Sequence, residues 1–311
     1  MKIQTQQTRR VAIPWMGKAY TELLSESMKN IGVNIQMPPR TTDKTIQLGV
    51  RNTAEMVCFP LKPTLGNFIE ALDSGANTLL MFDSKGQCRL RHYWKIQEFT
   101  LRNLGYEFEM LNINFGNVLN TMKRLSGASY LKIVNETLRL YRRIKDIDRE
   151  KLRWADDRPN IGIIGEIFTC CDERINYDIE KKIAKLGAKS INTLTLSGFM
   201  KSDFLKKIRC PGKKRHFDHE AEKYFNGKLG GHGKENISNL LELIDKKVGG
   251  VIHLLPMSCM PETSIEPFVN AICRDSNTPL LRIPIDENTA EANLETRLET
   301  FVELIKMRGQ Q

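Results

Sequence analysis

Three of the seven cysteines stand at positions from which their side chains can reach a shared cleft. Cys58, Cys88 and Cys259 each fall in a segment that the sequence pattern predicts to be a loop beside a helix start or a strand end. Free backbone N–H groups and the positive end of a helix dipole favour a thiolate there, which suits metal binding and nucleophilic chemistry alike. A lone cysteine is more often a small packing residue. The shared loop position of the three favours a function.

The spacing of these cysteines restricts the kind of site. Intervals of 30 and 171 residues exclude a zinc finger or zinc ribbon, whose ligands come in close pairs. Three thiolates brought together from distant loops suit an iron–sulfur cluster with one iron open to a non-cysteine ligand, or a zinc ion completed by water. An odd number of cysteines without an export signal argues against a disulfide framework.

The elements that must position these loops alternate along the chain between short apolar runs and helical stretches. In the first half the pattern predicts strands at 9–17, 33–38, 76–84 and 106–114, and helices at 19–32, 64–75 and 93–105. In the second half it predicts strands at 161–168, 188–197, 251–257 and 278–285, and helices at 175–187, 236–250, 265–273 and 292–308.

Two successive alternating sets predict the fold class α/β, with two doubly wound (Rossmann/flavodoxin-like) parallel-sheet units facing a common cleft. The polar, proline-containing segment Asp156–Asn160 predicts the boundary between the two domains. The expected domains are 1–155, an N-terminal α/β domain carrying two of the cysteines, and 156–311, a C-terminal α/β domain carrying the third.

Composition limits the class of protein. The chain has 311 residues, 41% of them apolar, and no window approaches 18 consecutive apolar residues, so no membrane span is expected. The start of the sequence lacks a secretory signal, and a cytoplasmic location is expected.

The excess of positive charge lies in the first half, where residues 1–155 carry 24 basic and 14 acidic side chains. Residues 120–153 alone hold ten basic and four acidic side chains on a segment with helical periodicity. This basic amphipathic helix is either a solvated outer face or a dock for an acidic partner or for phosphates. Nucleic acid is not an expected partner, because no recognition motif for it is present.

Several segments of the sequence resemble those of a known protein family. They are EMVCFPLKPTLGNFIEALDSGANTLLM, GQCRLRHYWKIQ, LGYEFEML, IGIIGEIF, GGHGKENI and GGVIHLLPMSCMPE. Through them the chain, from about residue 10 to 308, resembles the activase-related branch of the 2-hydroxyacyl-CoA dehydratase family, known as CoA protein activases.

This resemblance implies an oxygen-sensitive iron–sulfur protein of anaerobic metabolism. Cys58, Cys88 and Cys259 would hold a 4Fe-4S cluster or one half of a double-cubane cluster. An ATP-hydrolysing iron–sulfur activator protein would supply low-potential electrons, an acyl-CoA or another small molecule is the implied substrate, and a homodimer is implied. The chain has no P-loop, so ATP belongs to the partner.

The reaction stays open at this point. An enzyme would be a reductase or an (R)-2-hydroxyacyl-CoA dehydratase-like lyase, while a carrier would only pass electrons to another protein. The alternative is a non-catalytic α/β accessory or binding protein, with zinc or without metal.

Other candidate residues are weighed against ordinary structural roles. Cys170 and Cys171 follow a predicted strand, and adjacent residues on an extended chain point in opposite directions, so they are not expected to share one iron. Cys210 and Cys273 are expected to be structural. The glycine loop Gly230–Gly233 is either a plain turn or a close approach of backbone N–H groups to phosphate or cluster sulfide.

Charged and histidine side chains complete the candidates. Arg89, Arg91 and His92 are either surface charge or donors to an anionic cluster. Glu55 and Glu262 flank two of the cysteines and are either acid–base groups or carboxylates favoured by a helix dipole. His253 is expected to be a hydrogen-bonded core residue, and the pair His216 and His219 lacks an evident third metal ligand.

Overall fold

The computed structural model describes residues 9–83, 88–114, 116–200, 216–225 and 231–309. Cys210 therefore lies outside the described residues. The sequence of 200–230 has no clear period and predicts an irregular segment, but its described part, 216–225, contains the helix His216–Tyr224. Within the described residues, the chain forms two parallel β-sheets connected and covered by helices.

The first sheet consists of β1 (Val11–Ala12), β2 (Thr78–Phe82) and β3 (Glu109–Ile113), all parallel and in that order. A single bridge joins Val11 to Ile35 on the other side of β1. The strand predicted at 9–17 is thus two residues long, and the one predicted at 33–38 is reduced to one bridge. Pro14 has no N–H to donate to a ladder, which ends the pairing early.

The second sheet consists of β4 (Asn160–Gly165), β5 (Lys189–Asn192), β6 (Gly250–Pro256) and β7 (Leu280–Ile285). Its order is β5-β4-β6-β7, again with all pairs parallel. These four strands were all predicted, because parallel strands covered on both faces read as continuous apolar runs.

The two sheets share one topology. With the Ile35 bridge counted as a strand, the strand order in each sheet is second, first, third, fourth along its own half of the chain. This is the order of a doubly wound α/β unit, and it confirms the predicted fold class. Such units bind ligands at the carboxyl edge where the order reverses, here between β1 and β2 and between β4 and β6.

Twelve α-helices lie in the described residues. Those of the first half are α1 (Lys18–Asn30), α2 (Asp43–Arg51), α3 (Leu61–Asp73), α4 (Tyr93–Asn103), α5 (Val118–Ser126) and α6 (Tyr130–Lys151). Those of the second half are α7 (Ile167–Cys171), α8 (Ile179–Lys185), α9 (His216–Tyr224), α10 (Gly233–Asp245), α11 (Met260–Asp275) and α12 (Glu291–Gly309). A 3₁₀ helix at Arg89–His92 leads directly into α4.

The two halves share a continuous core. Leu65 and Leu79 of the first half belong to the same buried apolar cluster as Phe168 and Leu196 of the second. The backbone N–H of Phe59 also donates to a carbonyl oxygen across the contact. The predicted division at 1–155 and 156–311 stays a prediction, since the sheets separate there but their cores do not.

The single basic helix predicted over 120–153 is two helices, because α5 ends at Ser126, where Gly127 has φ of +70°, and α6 begins at Tyr130. Ile133 and Ile144 are fully buried, and eleven residues, or about three turns, place them on one line of the helix. Leu131 and Leu138 are 72% and 52% exposed on a different side. One apolar stripe of α6 packs against the rest of the protein, and a second apolar stripe is exposed at the surface.

A search of the described helices finds none that is both long enough and apolar enough to cross a membrane.

Candidate functional site

The three cysteines singled out in the sequence lie in one part of the molecule. Cys58 and Cys259 belong to the same buried cluster as Tyr93, and Cys88 packs against that cluster. Cys58 lies close enough to Cys259 and to Tyr93 to disfavour a negative charge on either, and Cys88 does the same at Tyr93.

Cys58 is held by the loop that precedes α3. Its carbonyl accepts a hydrogen bond from the N–H of Leu61 at 3.0 Å, which closes a turn into the helix. The next residue, Phe59, donates its N–H to the carbonyl of Met257 at 3.0 Å. This bond fastens the first-half loop to the loop that carries Cys259, and the Cys58 side chain is 7% exposed.

Cys259 is the residue that caps the N-terminus of α11. Its carbonyl accepts from the N–H of Thr263, and its own N–H donates to Pro256 at the end of β6. The preceding residue, Ser258, has φ of +60°, so the chain turns sharply between strand and helix. Cys259 thereby lies at the carboxyl edge of the second sheet, buried to 2% exposure.

Cys88 begins the 3₁₀ helix that leads into α4 and is partly exposed. Gly231 of the predicted glycine loop lies beside it, while Gly230 is outside the described residues. A Cβ on Gly231 would be 3.5 Å from the Cys88 sulfur and 3.0 Å from Pro261. Gly231 has φ of +66°, a conformation that favours glycine at this position.

The surroundings keep Tyr93 and Cys259 uncharged in the protein alone. Burial raises the pKa of Tyr93 well above its usual value, and the Cys58 thiol adds to the rise. The pKa of Cys259 is also raised, first by the neighbouring Cys58 thiol and then by burial. Since the nearby carboxyl groups Glu166 and Glu262 disfavour a thiolate, a bound cation would have to supply the compensating positive charge.

Glu166 follows β4 at the switch point of the second sheet. Its carboxylate accepts from the N–H groups of Phe168 at 3.1 Å and Thr169 at 2.9 Å, so it caps the short helix α7. Burial raises its pKa. His232 lies near it. Burial opposes charge on this imidazole, but the hydrogen bond to Glu235 and the negative charges of Glu235, Glu166 and Glu262 together outweigh burial, so the pKa of His232 is raised.

A buried polar network joins the start of α11 to the second sheet. Glu262 accepts from Asn236 at 2.9 Å, and it is hydrogen-bonded to Nε2 of His253, also at 2.9 Å. Asn236 also donates to the carbonyl of Gly165 at 2.8 Å. His253 is a core residue as predicted, although its Nδ1 atom has no hydrogen-bond partner among the described residues. Glu262 is thus a structural anchor for the loop that carries Cys259.

Other predicted candidates lie away from the cysteines or at the surface. Glu55 is exposed, and so are Arg89, Arg91 and His92. Cys273 is a core residue of α11, as expected. His219 lies 3.7 Å from Glu222 on α9, and the side chain of His216 is outside the described part of the chain.

The extended conformation assumed for Cys170 and Cys171 is wrong. Both residues lie on α7, because Glu166 caps a helix one residue after β4 ends. Successive helical side chains point about 100° apart, so the pair still diverges. Burial raises the pKa of Cys171 to about 12, with Lys151 opposing the rise, and burial raises that of Cys170 as well.

Sequence reasoning missed three side chains of the site: Tyr93, Glu166 and Asn236. Tyr93 follows Cys88 by five residues, and Glu166 follows an apolar strand directly, so position along the chain offered a signal for both. Asn236 was seen only as a helix start.

Within the described residues, no group of three or more His, Cys, Asp or Glu side chains is arranged to hold a metal ion. In a cubane cluster each thiolate binds its own iron, so three thiols that hold one need not surround a single point.

Comparisons with known proteins leave the family open. No protein-family model matches the chain, and no curated protein matches it. Among solved structures, the periplasmic zinc-binding protein TroA from Treponema pallidum is similar over 96% of this chain and 97% of its own, at 9% identity and a TM-score of 0.26. A likeness at this level carries no argument about the site.

Proposed function

We propose that this chain is an iron–sulfur protein that takes part in ATP-linked low-potential electron transfer. Cys58, Cys88 and Cys259 would hold a 4Fe-4S cluster or one half of a double-cubane cluster. The observation that supports the proposal is that Cys58 and Cys259, from separate loops, lie in one buried cluster with Tyr93, and that Cys88 packs against this cluster. Two of the loops lie at the carboxyl edges where doubly wound sheets bind ligands.

A packing role explains these cysteines less well than it explains Cys273. The Cys273 thiol lies among apolar side chains of α11, and burial alone raises its pKa, to about 12. Cys58 and Cys259 instead lie beside a phenol and two carboxyl groups. Polar neighbours around buried thiols are typical of a ligand site rather than of a core.

A bound cluster would supply one-electron chemistry. The chain's own residues hold the sulfur ligands, bring the glycine loop close to Cys88, and bury Cys58 and Cys259 from water. Partial exposure of Cys88 leaves one side of the site open to an electron donor or a small substrate. The open iron would bind an acyl-CoA or another small molecule if the protein is an enzyme, as a reductase or a dehydratase-like lyase.

The first experiment is spectroscopic. Anaerobically purified protein is expected to show cluster absorption and, after reduction, an EPR signal. Cys58→Ser, Cys88→Ser and Cys259→Ser should each weaken or abolish it, while Cys273→Ser, a matched buried cysteine, should leave it intact. Equal signals in all four variants would contradict the ligand assignment.

Substrate addition separates an enzyme from a carrier. If the protein is an enzyme, acyl-CoA substrates should change the cluster spectrum because they bind at the open iron. If it only carries electrons, the spectrum should stay the same and reduced protein should pass its electron to an added acceptor protein.

The partner would dock on the basic outer surface of α6. Arg139, Arg142 and Lys145 are exposed there, close to the exposed apolar stripe of Leu131 and Leu138. An acidic activator surface fits this charge, and its association should weaken as salt rises. Arg142→Glu should weaken binding of the activator, while Arg158→Glu, on a loop beyond the helix, should not. Binding independent of salt would count against this surface.

Phosphates of a CoA thioester are the other ligand that this charge fits. A pocket of about 590 Å³ lies at the end of α6, lined in part by Lys145, Arg149, Arg153 and Ser197. Competition of free CoA with the activator would assign the surface to the thioester instead.

The second candidate is a non-catalytic α/β accessory protein, metal-free or with zinc. What favours the metal-free form is that the surroundings keep Cys259 and Tyr93 uncharged in the protein alone. Colourless, air-stable protein without bound iron would support it.

A further inference from the structure

Helix α6 leaves a stripe of apolar side chains exposed to solvent. Leu131, Val134 and Leu138 are 72%, 37% and 52% exposed, and Tyr141, the next residue of the stripe, is half-buried. These four residues follow one another by three, four and three positions. This is the a/d spacing with which one helix packs along another. The stripe lies about 110° around the helix axis from the line that α6 buries in the core.

The helices next to α6 leave this stripe uncovered. Helix α1 lies on the far side of α6, where Glu26 pairs with Arg143 at 2.7 Å. Helix α5 meets the first turn of α6, where the hydroxyl of Tyr130 donates to Asn120 at 2.9 Å. The stripe therefore runs along a side of α6 that α1 does not cover, from the corner with α5 towards the C-terminus of the helix.

Basic side chains border the stripe. Arg142 and Lys145 are exposed, and neither has an ion-pair partner among the described residues. The Nζ atom of Lys145 lies 5.9 Å from the centre of the Tyr141 ring, and Lys132 and Arg139 add exposed positive charge on the same helix. A second copy of this chain would bring the same positive charges against them and be repelled. The stripe fits an occupant that carries acidic side chains beside its apolar ones.

We propose that an acidic amphipathic helix of a partner protein packs along α6, with its apolar residues on the stripe and its carboxylates facing Arg142 and Lys145. The inference rests on the proposed function, which places a partner on this surface, and it names the element through which that partner binds. A lipid surface fits less well. Helices that lie on lipid use a broad apolar face with large side chains, whereas this stripe is narrow and its one aromatic ring is half-buried.

A labelled peptide tests the pairing of the helices. The probe is a helical peptide of about three heptads with Leu at a and d and Glu at e and g, whose own charges oppose its self-association. Its fluorescence anisotropy should rise when the full chain is added, and its affinity should fall as salt rises. A peptide with Lys in place of each Glu keeps the apolar pattern and should bind at least about tenfold more weakly.

Leu138→Ser is the variant that tests the stripe, and Leu304→Ser on α12 is its matched control. Both leucines are exposed, at 52% and 45%, so both variants are expected to fold. Leu138→Ser should weaken binding of the Glu peptide about tenfold, because the peptide would bury that side chain. Leu304→Ser should bind the peptide as the parent does.

Four results would overturn the inference. They are a parent protein that does not bind the Glu peptide, equal affinity of the parent and Leu138→Ser, equal affinity for the Glu and Lys peptides, and a dimer in analytical ultracentrifugation that Leu138→Ser dissociates. Binding to vesicles of phosphatidylcholine and phosphatidylglycerol that Leu138→Ser abolishes, without peptide binding, would assign the stripe to lipid instead. Iron content tests the proposed function separately: a chain that holds no iron but binds the Glu peptide overturns the cluster and leaves the helix contact standing.

Discussion

Asp172 ties the stability of the protein to pH. Asp172 follows α7 directly, and only 1% of its surface is exposed. Its carboxylate accepts a hydrogen bond of 2.6 Å from the hydroxyl of Thr41, in the first half of the chain. Burial raises its pKa from 3.8 to about 7, against the opposing effect of its hydrogen bonds. A shift of about three pKa units corresponds to about 4 kcal/mol.

The sign follows from proton binding. Between pH 4 and 7 the folded protein keeps a proton on Asp172 that the unfolded chain has lost, so this group's stabilisation is present at low pH and is lost as pH rises through about 7. Asp172→Asn mimics the protonated form at every pH. The free energy of unfolding of the variant minus that of the parent should therefore increase by about 4 kcal/mol from pH 4 to pH 8.

Urea unfolding at half-unit pH intervals measures this difference. Asp157→Asn, whose parent side chain is 79% exposed, is the control and should follow the parent within about 0.5 kcal/mol. A difference between Asp172→Asn and the parent that does not change with pH would refute the reasoning.

Three further predictions concern the site and the contact between the halves. Gly231→Ala should lower the iron content of the protein, because its methyl group would stand against Pro261 and Cys88 at a positive φ. Iron analysis measures this, with Gly105→Ala as the control, since a Cβ there meets nothing within 4 Å. Lys62→Met should destabilise the protein by about 3 kcal/mol in urea unfolding, since it leaves Glu287 without its buried partner; a loss below 1 kcal/mol would contradict the role of that ion pair. Removal of the cluster should speed proteolysis, because both halves supply ligands; equal rates for apo and holo protein would argue against a cross-linking role.

Much of the architecture follows from local sequence pattern. The four strands of the second sheet and helices α8, α10, α11 and α12 were predicted, because long apolar runs and glycine stops mark them clearly, whereas α7 and α9 were missed. Pairing within the first sheet was harder to predict, since Pro14 shortens β1 and only Ile35 bridges its far side. Helix α2 (Asp43–Arg51) was missed, although Thr42 caps it through Thr45.

The site was predictable as a set of loops but not as a set of contacts. Cys58, Cys88 and Cys259 were selected because they stand beside predicted elements, and the topology brings those loops together. The hydrogen bond from Phe59 to Met257, which fastens two of the loops, depends on tertiary packing that no local pattern encodes. The same holds for Tyr93, which lies on α4 and shares a buried cluster with Cys58 from the loop before α3.

Cys170 shows how a local boundary changes an interpretation. The apolar run that begins at β4 continues through Ile167 and Phe168, and periodicity alone does not separate a strand from a short helix within such a run. Glu166 ends the strand by capping α7.

The most direct test of the account is the iron and acid-labile sulfide content per chain of anaerobically purified protein. The account predicts about four irons and about four sulfides for a single cubane, or about eight of each for a double one. It also predicts a loss of iron in each of Cys58→Ser, Cys88→Ser and Cys259→Ser. A chain that holds no iron after reconstitution with iron and sulfide, with the three variants as stable as the parent, would contradict it.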